Sequence, residues 1–212
     1  MTSRLAKIDV PKQWGPFELF QNWMAEFTSI TKLPVFLNLA TASSDGYVKN
    51  RFVELQELAN DGILFNTCDN SPKVKQLTEN PKAAASFLFQ YVRNNTEPVS
   101  RQVRIEGIAE RIPGKMEENT FYAEPLYAQI RSVLIKDQSM EVNWDELKNQ
   151  HDEMLAKVKS GEITLSPPEN LVVYKIVPTT FDFYHSGENE IADRVLFTQE
   201  TSGLWKHCHI TA

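Results

Sequence analysis

The sequence predicts a mainly β, antiparallel barrel with helical additions, an α+β fold in a single domain over residues 1–212. Three observations carry this. Short apolar or alternating runs are separated by turn signals such as Ser43-Ser44-Asp45-Gly46 and Ala59-Asn60-Asp61-Gly62. The helical patterns do not alternate regularly with the strand patterns, which argues against a doubly wound parallel sheet. No Gly-x-Gly-x-x-Gly or Walker-type loop occurs to support a nucleotide fold. With 212 residues, 42% of them hydrophobic, the chain is long enough to bury one sizeable core.

Residues 1–15 read as an irregular lead-in. After Gly15-Pro16, Phe17, Leu19, Phe20, Trp23, Met24 and Phe27 recur at helical spacing, which predicts an amphipathic helix. Residues 34–41 read as a buried strand, the turn at 43–46 leads into a second strand through Arg51-Phe52-Val53, and the turn at 59–62 leads into a third over 63–68. Ser71-Pro72-Lys73 starts a helix, since Ser can cap and Pro suits the first helical position, and Asn80-Pro81 ends it. Strands follow at 83–89 and from about 102 to 111. Two or three helices occupy roughly 115–160, including the charged stretch from Trp144 to Lys159. Strands resume at 172–177 and 180–184, with a last pair near 193–198 and 204–209.

Charge narrows the function. A net charge of −6, with 22 Lys+Arg against 28 Asp+Glu and no basic block, excludes a nucleic-acid partner, which needs a basic face. The start, Met1 to Val10, lacks the apolar run of a signal peptide, and no run of eighteen apolar residues occurs, which points to no membrane and a cytoplasmic location. Cys68 and Cys208 make a poor disulfide framework and would stay reduced there, and the Asn94-Asn95-Thr96 sequon would be idle.

Against that acidic background, Arg101-Gln102-Val103-Arg104-Ile105-Glu106-Gly107 places two arginines in an otherwise alternating strand. On a strand Gln102, Arg104 and Glu106 share one face and Arg101, Val103 and Ile105 the other. A bound anion would explain the arginines; cross-strand ion pairs on a solvated face are the plainer explanation. Lys73 in the first turn of a helix suits a phosphate, although alone it reads as a solvated lysine on an ordinary capped helix. His207-Cys208-His209 does not make a three-ligand site, because alternation turns the cysteine away from the histidines, and no Cys-x-x-Cys or His-Glu-x-x-His accompanies it, so no metal is expected. Asp45 with Asp61, or Glu117-Glu118, are solvated carboxylates by default. No catalytic side chain is identifiable.

Taken together, Leu39-Ala40-Thr41, Asp45-Gly46, Arg51-Phe52-Val53, Phe65-Asn66-Thr67, Ser71-Pro72-Lys73, Asn80-Pro81-Lys82-Ala83, the Arg101 to Gly107 run, Gln138-Ser139 and Asp193-Arg194 resemble the pyridoxamine 5′-phosphate oxidase family, from about Phe17 to the C-terminus. The resemblance implies an FMN-binding split β-barrel and a homodimer with FMN at the subunit interface. It places Arg51, Lys73, Gln102, Gln138, Ser139 and Arg194 against FMN, with Gln56, Asn66 and Thr67 in the same cofactor set. Asn66 stands where the family has the tyrosine of a Tyr-Thr pair. Pro72-Lys73 replaces the family's Arg-Lys, a loss of one charge-assisted bond of about 1.5–3 kcal/mol. A flavin carries its own redox chemistry, which agrees with the lack of a catalytic dyad.

The substrate side departs from the family pattern. The lysine that closes the family's strand falls at Gln56. Its tyrosine, arginine and serine for the substrate phosphate fall near Thr120, Glu124 and Ala128, and its Arg-Leu-His-Asp-Arg appears as Glu190-Ile191-Ala192-Asp193-Arg194. Exchanging two cations for Glu124 and Glu190 near a dianionic phosphate costs several kcal/mol at an effective dielectric near ~20. Arg131 or Lys136 is a candidate replacement cation. Three readings follow: an FMN-dependent oxidoreductase acting on another small molecule, the family's own oxidation of pyridoxamine or pyridoxine 5′-phosphate, and a non-catalytic FMN- or PLP-binding paralogue.

Overall fold

The computed structural model describes residues 4–113 and 116–212. Met1, Thr2 and Ser3 of the expected lead-in, and Lys115 at the start of the expected helical stretch, lie outside the described residues. In chain order the elements are β1 (Arg4–Leu5), α1 (Pro16–Thr31), β2 (Phe36–Ala42), β3 (Val48–Glu54), β4 (Glu57–Ala59), β5 (Gly62–Cys68), α2 (Pro72–Glu79), β6 (Lys82–Arg93), β7 (Glu97–Ile112), α3 (Met116–Ala123), α4 (Leu126–Leu134), α5 (Trp144–Lys159), β8 (Leu171–Gly187), β9 (Glu190–Ile191), β10 (Asp193–Gln199) and β11 (Trp205–His209).

Most strands join one antiparallel sheet in the order β11-β10-β8-β7-β6-β2-β3, with β5 on β8 and β4 on β5. The sheet curls into a half-barrel, because β8 is shared: residues 63–68 of β5 pair with its first part, residues 193–198 of β10 with its last, and β7 runs along its other edge. Instead of two strands, 171–187 is one. Its bend falls where the β7 register shifts between Glu106 and Gly107 opposite Pro178. Gly107 is required there, since a Cβ would lie 2.2 Å from the Val177 carbonyl oxygen. Proline supplies no ladder donor and so sits at the irregularity.

The concave face of the sheet wraps α1. Pro16 occupies its first turn, the Glu18 carboxylate accepts from the Gly15 N–H at 2.9 Å, and Lys32 closes it in the left-handed region at φ 58°. Leu19, Phe20, Trp23 and Phe27 are buried against Phe87, Phe89, Phe181 and Phe183, with Phe20 and Phe87 ring centroids 4.7 Å apart. Burial of each such side chain contributes about 1.5–3 kcal/mol, so this helix closes the half-barrel. A second small core of Phe121, Ile130, Leu165 and Leu171 holds α3 and α4 over one end of β8. Asn143 caps α5 by accepting from the Asp145 and Glu146 N–H groups.

The lead-in is more ordered than the sequence suggests. β1 pairs in parallel with β9, Ala6 and Ile8 are buried, and the Ile8 N–H donates to Asp193 Oδ2 at 2.7 Å. Asp193 also meets His209 Nδ1 at 2.9 Å, so one buried carboxylate ties both ends of the chain to β10. β6 and β7 extend beyond their expected limits and join at Asn94 and Asn95, both at positive φ. The turn that tips a hairpin favours this conformation in asparagine.

Candidate functional site

A cavity of about 690 Å³ opens between β3, β5, the start of α2 and the helical cap, within the size range of small-molecule sites. Arg51, Asn66, Thr67, Lys73, Gln138, Ser139 and Glu124 all line it. Residues far apart in sequence thus meet, because β5 delivers Asn66 and Thr67, α2 starts directly after it, and the loop following α4 lies across both. That loop is pinned through the Lys136 carbonyl, which accepts from Asn70 Nδ2 at 2.7 Å and Asn170 Nδ2 at 2.6 Å. Ser139 adopts φ 68° there.

One end of the cavity is cationic. Lys73 is only 9% exposed, and its ammonium donates to Thr67 Oγ1 at 2.7 Å and Gln138 Oε1 at 3.0 Å. Arg51 donates to the Leu39 carbonyl at 3.1 Å and to Thr41 Oγ1 at 2.8 Å. All these acceptors are neutral, and among the described residues neither cation forms an ion pair with a carboxylate. Burial, reinforced by the Arg51 charge, brings Lys73 down from 10.5 to about 8; burial also lowers Arg51. A buried charge normally finds a counter-charge, and among the described residues no carboxylate supplies one to this pair. Ser71 occupies the cap position of α2, yet its side chain makes no capping bond and instead lies 3.4 Å from Thr67 Oγ1.

Another part of the cavity lining is acidic. Glu124 Oε1 accepts from Gln56 Nε2 at 3.1 Å and Asn66 Nδ2 at 3.4 Å. The structure therefore brings together Gln56 and Glu124. Thr120 and Ala128 do not join them: neither lines the cavity, and the Thr120 hydroxyl donates to the Glu117 carbonyl of its own helix. Glu54 and Arg131 also line the cavity. Burial pushes the Glu54 carboxyl up, the Glu124 charge adds to this, and Arg131 opposes it. Sequence reasoning missed Glu54 and Gln76. Gln76 follows Lys73 by three residues on a helix, a spacing that could have placed it on the same face; its Oε1 accepts from Thr41 at 2.6 Å and holds the Arg51 support in place.

The remaining expected site residues lie elsewhere. Gln102, Arg104 and Arg194 belong to the convex face of the sheet, where Arg104 and Arg194 both pair with Asp182, Arg194 Nε at 2.8 Å. Asn38, Ala40, Ala84, Ser86 and Leu196 complete a second concavity around these arginines. Within one chain the expected cofactor set is thus divided between two surfaces. Glu190 occupies a third place, with Arg4 and His185, and Ala192 follows it between β9 and β10. The anion explanation for the arginine pair in β7 is corrected for Arg101, which points inward to Glu26 at 2.7 Å and to the Tyr91 hydroxyl at 3.0 Å. Among the described residues no group of three or more His, Cys, Asp or Glu side chains is placed to hold a metal ion. No helix among them is long and apolar enough to cross a membrane.

Residues 24–159 match the family model described as pyridoxamine 5′-phosphate oxidase. The pyridoxine/pyridoxamine 5′-phosphate oxidase of Pelagibacter ubique (strain HTCC1062) is 31% identical over 192 residues, covering 90% of this chain and 88% of that one. Its namesake from Wolbachia pipientis wMel is 32% identical over 195 residues, covering 90% and 85%. Two solved structures share the fold. PhzG from Burkholderia lata 383, in complex with tetrahydrophenazine-1-carboxylic acid, matches with a TM-score of 0.79 at 21% identity, over 97% of this chain and 98% of that one. A pyridoxamine 5′-phosphate oxidase-related, FMN binding protein from Nostoc punctiforme PCC 73102 matches with a TM-score of 0.71 at 16% identity, over 94% and 100%. The curled sheet is the split barrel that the sequence predicts.

Proposed function

The chain belongs to the pyridoxamine 5′-phosphate oxidase family, and from that premise we propose that it is an FMN-dependent oxidoreductase, folded as a single domain, whose substrate differs from the family's phosphate ester. The observation that carries the FMN reading is the buried Lys73 beside Arg51, both held by neutral oxygens only. A phosphate monoester supplies the missing negative charge and accepts the remaining N–H donors. Thr67, Gln138 and Ser139 would complete that cradle, with Asn66 further along the cavity wall and Gln56 reaching it through its bond to Glu124. Bound FMN would supply a hydride acceptor, which this chain's side chains do not.

The division of the cofactor set between two surfaces supports a homodimer. Gln102 and Arg194 on the convex face would reach the cavity of a second copy, which small Ala40, Ala84 and Ser86 side chains would let approach closely. In that arrangement Asp182 would hold the Arg194 guanidinium in one orientation through its paired bonds. An altered substrate is supported by Glu124 in contact with Gln56, where the family's phosphate-binding arginine and lysine would stand.

The family reaction itself remains the second reading, because the curated relatives at about 30% identity carry its name and Arg131 is a cation at the cavity wall. Anaerobic addition of pyridoxine 5′-phosphate to the FMN-loaded protein separates the two. Flavin absorbance that persists favours the altered substrate; rapid bleaching establishes the family reaction instead. A protein that takes up no FMN would leave the non-catalytic paralogue.

A further inference from the structure

Two carboxylates at the edge of a protein are ordinarily solvated and mean nothing. Glu54 and Glu124 differ because they line the same cavity as the nine-tenths-buried Lys73 ammonium, yet neither pairs with it. Glu124 uses one oxygen, Oε1, to accept from Gln56 and Asn66, and its other oxygen has no donor among the described residues. Those two amides orient the carboxylate as a fixed acceptor. The Glu54 side chain, half-buried, likewise has no hydrogen-bond or ion-pair partner among the described residues, and it feels the Glu124 charge. Arg131 is the cation whose charge acts on Glu54; it is exposed and unpaired among the described residues. Two carboxylates against one guanidinium leave this part of the lining net negative. Phe36 and Phe52, 48% and 72% exposed, form an apolar wall beside it.

We propose that Glu54 and Glu124 form a site for a cationic group, so that the substrate is a small protonated amine with an apolar body and no phosphate. The proposal rests on the reading of this cavity as the flavin site. A cation bound here adds to the partial compensation that Arg131 gives Glu54, while a phosphate meets two anions in a cavity where water screens them incompletely. The amide donors of Gln56 and Asn66 keep Glu124 in place but do not neutralise it. Glu124 is therefore a specificity-determining residue and Gln56 a positioning one.

The test is equilibrium binding to the FMN-loaded protein of three probes that share one ring, namely benzylamine, benzyl alcohol and benzyl phosphate, at pH 7. The expected order is amine over alcohol over phosphate, with at least a tenfold gap between the extremes. Glu124→Gln should shrink that gap below threefold while FMN affinity stays within threefold of the parent, which also reports that the variant folds. Glu124→Arg should invert the order. Equal binding of the three probes, preference for benzyl phosphate, absence of any binding, or an unchanged order in both variants would overturn the proposal. Failure of the parent protein to take up FMN would instead overturn the flavin reading on which it rests.

Discussion

Replacing Lys73 by Met removes the buried ammonium and keeps most of the side chain's length. Two opposite effects should follow. In the apoprotein, the distance from an ordinary lysine at 10.5 to about 8 corresponds to about 3 kcal/mol of penalty on the charged form, at ~1.4 kcal/mol per pH unit. The bonds to Thr67 and Gln138 that vanish contribute about 1 kcal/mol each. The variant should therefore be more stable than the parent at pH 7 by about 1 kcal/mol, a rise of about 2–4 °C in Tm. Toward FMN, the same change deletes one charge-assisted bond of about 1.5–3 kcal/mol, which weakens affinity about 10- to 150-fold. Thermal unfolding of the apoprotein and a flavin fluorescence titration read the two effects separately. A stability loss combined with unchanged flavin affinity would refute the assignment and make Lys73 an ordinary structural lysine.

Three further expectations can be measured. A pH sweep should reveal Lys73 twice: the unfolded chain keeps this proton to about 10.5 and the folded apoprotein releases it near 8, so apoprotein stability gains a contribution as pH rises between those values. FMN affinity should fall over the same range, and Lys73→Met should flatten both trends. Ala84→Arg, on the exposed convex face, should give a monomer by sedimentation that binds FMN at least tenfold more weakly, and a stable dimer with full affinity would count against the shared site. Glu26→Ala leaves Arg101, whose side chain is 11% exposed, without its closest carboxylate; denaturant unfolding should register a loss of about 3 kcal/mol, with flavin affinity unchanged because Arg101 faces the α1 core.

How much was legible in the sequence varied with the range of the interactions. α1 could be read from the spacing of Leu19, Phe20, Trp23 and Phe27, since a helix face is a local pattern. The turn between β6 and β7 was visible only as a sequon, although Asn94-Asn95 at positive φ makes it a hairpin. β8 looked like two strands because Pro178 interrupts its pattern, while its continuity depends on pairing with β7, about 70 residues earlier. The partners of Arg101 and Arg104, Glu26 and Asp182, are 75 and 78 positions away, a separation no strand pattern discloses. In the sequence Lys73, Thr67 and Gln138 form a set through resemblance alone, and their mutual bonds depend on the loop placed across β5. Glu54 carries no sequence signal, since the Glu124 and Arg131 charges that act on it come from the helical cap about 70 positions later.

In the proposed assembly FMN lies in the cavity around Lys73, completed by a second copy. Sedimentation velocity of the purified protein with added FMN, monitored at a flavin wavelength and at 280 nm as a conventional protein signal, tests this most directly. Flavin absorbance should move with a species of twice the chain mass, at one FMN per chain, and should be lost from that boundary in Lys73→Met at low FMN. Flavin absorbance that stays uniform along the column while the unmodified protein sediments, or that moves with a monomer, would contradict it.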